Sequence, residues 1–184
     1  MNVLAGAILP LTAWQSFYSI VGASAGALIG LQFVVIALVA GVHIKGKEEG
    51  IAAFLSPTVV HFAGALAVSA IMSAPWPSET AVAVAIAVCG LFGLAYDIVV
   101  FKRTRRQKAY EPVLEDWLWH AIFPSVIYAA LLVAAPLARS ETELALFIVA
   151  GGSLGLLFVG IRNAWDTVIY LVIVQMGEDE GKSQ

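Results

Sequence analysis

Six polar or ionisable residues lie inside otherwise apolar stretches of this chain, where their side chains could do chemistry. They are Gln32, His61, Asp97, Arg162, Asn163 and Asp166. Histidine titrates near neutral pH, and carboxylates on inward-facing helix positions mark proton and ion routes through membranes. The set predicts either a polar cluster that carries protons or cations, or polar residues that water and lipid headgroups satisfy at the membrane surface.

Asp97 and Arg162 are opposite charges on two different apolar stretches. A lone charge in hydrocarbon is costly, so each of the two requires a partner. We expect an ion pair between them. The alternative is that Asp97 reaches Lys102 or water at the membrane surface.

The sequence carries few signs of enzyme chemistry or metal binding. No phosphate-binding loop, HExxH or CxxC motif occurs. No two of the three histidines stand three or four residues apart, and the single cysteine, Cys89, lies in an apolar run. We therefore expect no enzyme activity, no catalytic residues, no metal site and no other cofactor.

Glycines recur at spacings of three or four residues in three of the apolar stretches. They are Gly22, Gly26 and Gly30, then Gly90 and Gly93, and finally Gly151 and Gly155. Such spacing places small residues on one helix face, where a second helix can approach closely. We expect these glycines to pack helices together, within one chain or between subunits.

The first apolar stretch has a second distinctive face. Ser24 and Gln32 lie roughly opposite Gly30 at about 100° per residue. A helix with small or polar groups on two faces should touch protein on both sides. This pattern predicts a central position in the bundle or an interface between subunits, and we expect a homo-oligomer.

The composition defines the elements that must position these residues. Hydrophobic residues make up 60% of the 184 residues and charged residues 12%, against about 45–50% and about 25% in soluble domains. The first 44 residues carry no charge at all. This composition predicts an all-α polytopic membrane helix bundle and excludes an ordinary soluble domain. A net charge of −3 gives no positive field for nucleic acid.

Five apolar stretches are long enough to cross a bilayer, which requires about 20 helical residues. We place five transmembrane helices at 17–43, 55–74, 81–101, 117–137 and 143–176, in a single membrane domain over 1–184. The last stretch exceeds one crossing. It is therefore long or broken near Arg162, which lies either at the membrane boundary or deep in the span.

Helix start and stop signals punctuate the second and third stretches. Ser56 followed by Pro57 is typical of a helix start, and the segment 75–77, Pro-Trp-Pro, is typical of a helix end. Ser78 with Glu79 is typical of the next helix start. These signals support the boundaries given above for the second and third spans.

Basic residues in the loops predict the orientation, because lysine and arginine are retained on the cytoplasmic side. Nine of the ten lie on one side of the predicted spans and only Arg139 lies on the other, which predicts an N-out, C-in topology. The nine are Lys45, Lys47, Lys102, Arg103, Arg105, Arg106, Lys108, Arg162 and Lys182. The run from Lys102 to Lys108 is expected to contact anionic lipid headgroups, or to dock a specific lipid or partner protein.

The segment VGASAGALIGLQFVVIALVA in the first stretch and RNAWDTVIYLV near the end resemble a family of short bacterial multi-pass membrane proteins. Most members are uncharacterised, and some are labelled modulators of a membrane-bound ATP-dependent protease. The resemblance implies a location in the bacterial cytoplasmic (inner) membrane. It brings no catalytic residues with it.

Two functions remain compatible with the sequence. The first is a small oligomeric channel or transporter for an ion or proton, which uses the inward polar residues. The second is a non-catalytic membrane subunit or modulator that binds the helices of a membrane protein partner through its glycine and alanine stripes.

Overall fold

The computed structural model describes residues 9–41, 48–106 and 117–182, with side chains over 11–37, 57–102 and 117–169. All regular structure in these ranges is helical, as the composition predicts. A π-helical turn, Leu118–Ile122, leads into the fifth α-helix. The α-helices are α1 (Leu9–Ala13), α2 (Gln15–Gly41), α3 (Glu48–Ser73), α4 (Glu79–Arg106), α5 (Phe123–Leu137) and α6 (Thr142–Lys182).

Four segments of these helices are long and apolar enough to cross a membrane. They are Gln15–Ala37, Glu79–Lys102, Leu118–Leu137 and Thr142–Ile169, whereas Pro57–Ser73 is apolar but shorter. The outside of the bundle is apolar as well: Phe92 is 74% exposed and Ile20 is 68% exposed. Large exposed apolar surfaces mark contact with a membrane or another protein. These features fit a multi-pass membrane protein.

The helix ends agree only in part with the sequence signals. Ser78 Oγ accepts a hydrogen bond of 3.2 Å from the backbone N–H of Ala81, as expected for the residue that starts α4. The start predicted at Ser56 is wrong, because α3 begins at Glu48 and continues through Pro57. Proline removes one backbone hydrogen bond, and membrane helices tolerate that loss.

The last helix is long and unbroken. α6 runs for 41 residues from Thr142 to Lys182, which makes it about 60 Å long at about 1.5 Å per residue. The helix passes Arg162 without interruption. Of the two forms expected for this stretch, the structure therefore has the long one.

Four helices form the core of the bundle. α3 packs on α4, α4 on α5, α5 on α6, and α6 on α3, so that α3 and α5 stand on opposite corners. Phe62, Leu131 and Leu156 are fully buried among them. α2 packs outside this core, chiefly on α3. A central position for α2 is therefore wrong, and the described residues leave one face of this helix uncovered.

Successive helices run antiparallel, which gives the bundle two distinct ends. Gly22 of α2 faces Ser69 of α3, and the Trp14 ring packs on Phe147 of α6 with ring centres 4.9 Å apart. We call the end at the start of α4 and α6 the acidic end, after Glu79, Glu141 and Glu143. The opposite end, where α4 reaches Lys102, is the basic end.

Four of the seven predicted packing glycines make close helix contacts in this chain. A Cβ atom at Gly22 would lie 3.1 Å from Ser69 Cβ, and one at Gly155 would lie 3.0 Å from Ile127 Cδ1. A Cβ at Gly90 would lie 2.8 Å from the backbone carbonyl oxygen of Tyr128, and one at Gly93 would collide with the Tyr128 ring. The helices at these positions approach closely because glycine has no side chain.

The other three glycines do not pack against described residues. A Cβ atom at Gly26, Gly30 or Gly151 would meet nothing within 4 Å. The buried face of α2 contains Ala25 and Gln32, and it lies on the side of the helix away from Gly30. On α6, Gly152 and Gly160 pack inward instead of Gly151: their Cβ atoms would meet Leu131 and Phe62, respectively.

Candidate functional site

The structure buries four of the six candidate residues. Gln32 is 5% exposed, His61 0%, Asp97 4% and Asn163 0%. The side chains of Arg162 and Asp166 are 32% and 38% exposed. All six lie in the half of the bundle nearer the basic end. The buried four come from α2, α3, α4 and α6.

Tyr128 of α5 lies at the centre of this half and links two of the core helices. Its hydroxyl forms a hydrogen bond of 3.3 Å with Nδ1 of His61 on α3. Three glycines make room for it: Gly93 lies against the ring, Gly90 against the backbone carbonyl, and Gly64 beside the hydroxyl. A side chain at any of the three would displace the tyrosine, so the site depends on glycine on two helices.

Asp97 lies one turn beyond Gly93 on the same face of α4, next to this tyrosine. Its Oδ2 accepts a hydrogen bond of 3.0 Å from Ser125 Oγ, whereas Oδ1 has no hydrogen-bond partner. Ser125 lies three residues before Tyr128 on α5. The Asp97–Ser125 contact is therefore about 5 Å further along the α4–α5 interface than the Gly93–Tyr128 contact. The Asp97 carboxylate lies within electrostatic range of Tyr128.

Buried polar side chains of α2, α3 and α6 also lie in this half of the bundle. His61 Nε2, Gln32 Nε2 and both side-chain polar atoms of Asn163 lack a hydrogen-bond partner. By contrast, Thr167 Oγ1 donates a hydrogen bond of 2.9 Å to the Asn163 carbonyl. A buried polar group without a partner costs about 1–3 kcal/mol. The side chains of Gln32, His61 and Asn163 therefore carry this cost in the described part of the chain.

Arg162 and Asp97, which we expected to pair, have different partners in the structure. Arg162 forms an ion pair with Asp166, four residues along the same helix, and its guanidinium lies 5.9 Å from the centre of the Trp119 ring. Asn163 is the residue of this turn that α6 directs inward. Arg162 therefore points toward the π-helical turn, and Ser125 takes the position beside Asp97.

Two Gly-x-Ser-x-Gly patterns, at 22–26 and 151–155, lie in the middle of long helices. A catalytic serine in this pattern requires a strand-to-helix turn that exposes its hydroxyl. Ser153 is fully buried and donates its hydroxyl to the Ala150 carbonyl at 2.9 Å. Both patterns here lie within continuous α-helix, which lacks that turn.

The described ranges contain no group of three or more His, Cys, Asp or Glu side chains placed to bind a metal ion. Of the predicted headgroup-binding run, Lys102 is exposed at the basic end. The side chains of Arg103, Arg105 and Arg106, and all of Lys108, lie outside the described residues.

A shallow cleft opens at the acidic end between α3, α4, α5 and α6. Its walls are apolar, with Glu79 and Thr142 at the rim, and it reaches Ile86 and Val149. Ile86 is seven residues from Gly93 on α4, so about 10 Å of packed protein separates the cleft from Tyr128.

Sequence analysis did not identify Tyr128 and Ser125 as site residues. Both lie on one face of the fourth apolar stretch, and their three-residue spacing is the signal that could have revealed them. Comparison with protein-family models, with curated proteins and with solved structures finds no match.

Proposed function

We propose that this protein is a small integral-membrane channel or transporter for protons, with His61, Tyr128 and Asp97 as the proton-binding groups. The observation that carries the proposal is the pair of hydrogen bonds that α5 makes with its neighbours, His61 with Tyr128 and Asp97 with Ser125. They bring an imidazole, a phenol and a carboxylate together in the interior of a membrane bundle. Intramembrane ionisable residues on inward faces are typical of proton relays.

The arrangement suits a proton better than a larger ion. A proton that binds Nε2 of the neutral imidazole of His61 gives an imidazolium, which passes its Nδ1 proton to the Tyr128 hydroxyl. The hydroxyl releases its own proton toward the Asp97 carboxylate, which becomes a neutral carboxylic acid. The first transfer follows the hydrogen bond of 3.3 Å between His61 and Tyr128, and the second requires the unpartnered Oδ1 of Asp97 to turn toward the Tyr128 hydroxyl. A metal ion would need room that the close Gly93–Tyr128 contact leaves unavailable to it.

Other titratable and charged groups surround these three and contribute to the pH dependence. His120 of the π-helical turn lies within electrostatic range of His61. Cys89 and Tyr96 of α4 lie within electrostatic range of Tyr128.

The proposed topology has five spans, with α3 as the second and the basic end in the cytoplasm. The backbone of α3 is helical for 26 residues, or about 39 Å, which exceeds the roughly 30 Å thickness of the hydrocarbon core. The excess of lysine and arginine at the basic end favours the N-out, C-in orientation in a bacterial inner membrane. The run that starts at Lys102 is then placed to contact anionic headgroups.

The test is proton flux into liposomes that hold the purified protein and a trapped pH-sensitive dye, with a potassium diffusion potential as the driving force. We expect Asp97→Asn to lower the flux at least ten-fold. The matched control is Glu141→Gln, which neutralises a carboxylate in the exposed turn at the acidic end and should leave the flux unchanged. Flux no greater than in protein-free liposomes, over a range of pH and voltage, would refute the proposal.

A second candidate is the non-catalytic subunit or modulator, favoured by the uncovered face of α2. Gly26 and Gly30 are open on that face, and Ala23 and Ala27 beside them are exposed. A stripe of this kind fits a helix of another subunit, either a second copy or a partner such as the protease suggested by the family resemblance. A partner that copurifies in fixed ratio, and is lost in the Gly26→Ile/Gly30→Ile variant, would favour this function.

A further inference from the structure

We infer that Gln32, His61 and Asn163 line a polar chamber between α2, α3 and α6 that binds water and connects the proton site with the basic end. The inference rests on the proposed function and adds the route by which protons reach His61. Nδ1 of His61 faces Tyr128, and Nε2 belongs to the chamber. The imidazole thus stands between the chamber and the buried carboxylate.

Helix register places Gln32 and Asn163 near the level of Thr58, which lies three residues from His61 on α3. Gly22 of α2 and Ser69 of α3 lie at the same level. Gln32 is ten residues after Gly22, and Thr58 is eleven residues before Ser69. Because α2 and α3 are antiparallel, both lie about 15–16 Å from that contact, toward the basic end. The close approach of Gly160 to Phe62 puts Asn163, less than one turn further on, near the level of Thr58. Three helices therefore direct polar side chains inward at one level.

The burial and the unpartnered atoms point to a ligand. Gln32, His61 and Asn163 are each more than nine-tenths buried, and each has at least one polar atom without a hydrogen-bond partner. Their burial in a low-dielectric interior makes an empty site unfavourable. An occupant that restores these hydrogen bonds removes the cost.

The chemistry of the lining identifies the occupant. A carboxamide offers both donors and acceptors, and a neutral imidazole offers one of each. Among the described residues, the proposed lining of Gln32, His61 and Asn163 contains no carboxylate and no cationic group. A metal cation or an anion would therefore have no opposite charge beside it. Water donates and accepts equally well, and two to four polar partners are what a buried water requires.

The chamber leads toward the basic end along one stripe of α6. Asn163 is followed one turn later by Thr167, which is 7% exposed, and the side chain of Asp166 beside them is 38% exposed. The polar stripe thus passes from the fully buried amide to a partly exposed carboxylate. This order suits a path from the cytoplasmic surface to His61.

Water contact can be measured without reference to transport, by water-edited solid-state NMR of the full chain in lipid bilayers. We expect magnetisation from water to reach the side-chain amides of Gln32 and Asn163 several-fold faster than the methyl groups of Leu131, which is 0% exposed. If magnetisation from water reached the amides as slowly as it reaches the Leu131 methyl groups, the proposed chamber would be refuted.

Substitution then connects the chamber to proton flux. Asn163→Leu, which keeps the shape of the side chain and removes its polar atoms, should lower the flux at least ten-fold. Asn163→Thr, which keeps a hydroxyl, should restore part of it. Ser153→Ala is the matched control on α6, since that hydroxyl is satisfied by its own helix, and it should have no effect.

The outcomes separate the two proposals. Fast water transfer without any proton flux supports the chamber and refutes the transport function. Proton flux in a protein whose Gln32 and Asn163 amides receive no magnetisation from water overturns the chamber and leaves the transport function standing. Should Asn163→Leu fail to fold, the NMR measurement on the unmodified chain still decides.

Discussion

The Tyr128 hydroxyl and His61 Nδ1, 3.3 Å apart, join α5 and α3, the helices on opposite corners of the four-helix core. The hydroxyl crosses the interior beside Gly64. Polar contacts between transmembrane helices average about 0.6 kcal/mol each. The contribution of this contact to stability is therefore modest. Its position near Asp97 is the basis of the proton transfer that we propose.

The first prediction concerns the glycine that accommodates this tyrosine. Gly93→Ala should destabilise the protein by about 1–3 kcal/mol, because the new methyl group collides with the Tyr128 ring and overpacks the core. The free energy of unfolding in mixed detergent micelles provides the measurement. Gly26→Ala is the control: its methyl group meets nothing within 4 Å, and alanine is the better helix former by about 1 kcal/mol. Equal effects at the two positions would contradict the close approach.

The second prediction isolates the hydrogen bond. Tyr128→Phe keeps the ring in its glycine socket and removes the hydroxyl from His61, so the protein should fold and lose at least ten-fold in proton flux. A double-mutant cycle with His61→Leu should give a coupling free energy of about 0.6 kcal/mol, and no more than about 1.7 kcal/mol. Additive effects in the cycle would show that the two groups do not interact.

The sequence allowed the inward direction of the buried residues to be predicted, because helical periodicity fixes which positions share a face. His61 shares a face with Gly64, and Asp97 shares one with Gly93, so both were correctly directed into the bundle. The same periodicity cannot resolve one step of about 100° on a helix that is apolar all round. For that reason the glycine spacing predicts that Gly151 packs against another helix, whereas in the structure Gly152 makes that contact.

Residue type also limited what the sequence could show. Tyr128 lies in an apolar stretch, where an aromatic ring is expected to be a core residue. Its neighbours in the sequence do not indicate that its hydroxyl reaches α3, on the opposite corner of the four-helix core. The partner of Arg162 depended on the direction of its side chain around α6. Charge alone favoured Asp97, and the helix geometry favours Asp166.

The third prediction separates these two partners of Arg162. Exchange of the charges within α6, as Arg162→Asp with Asp166→Arg, should recover most of the stability lost in either single variant, since positions four apart are neighbours on a helix. The unfolding midpoint in detergent gives the measurement. Exchange between helices, as Asp97→Arg with Arg162→Asp, should recover none, because the two side chains do not share a contact. Recovery in that second exchange would restore the interhelical ion pair.

The fourth prediction concerns the cost of the carboxylate itself. Asp97→Asn keeps an oxygen that accepts the hydrogen bond from Ser125 and removes the ionisable group, which is expensive in hydrocarbon. We therefore expect this variant to be at least as stable as the natural chain, although its proton flux is expected to be at least ten-fold lower. Ser125→Ala should then destabilise the natural chain more than it destabilises the Asp97→Asn background, because a hydrogen bond to an ionised acceptor is about twice as strong as one between neutral groups. Unfolding free energies of the four proteins at neutral pH supply the comparison. An equal cost in both backgrounds would mean that Asp97 remains uncharged throughout, which would remove the carboxylate as the acceptor of the proton from Tyr128.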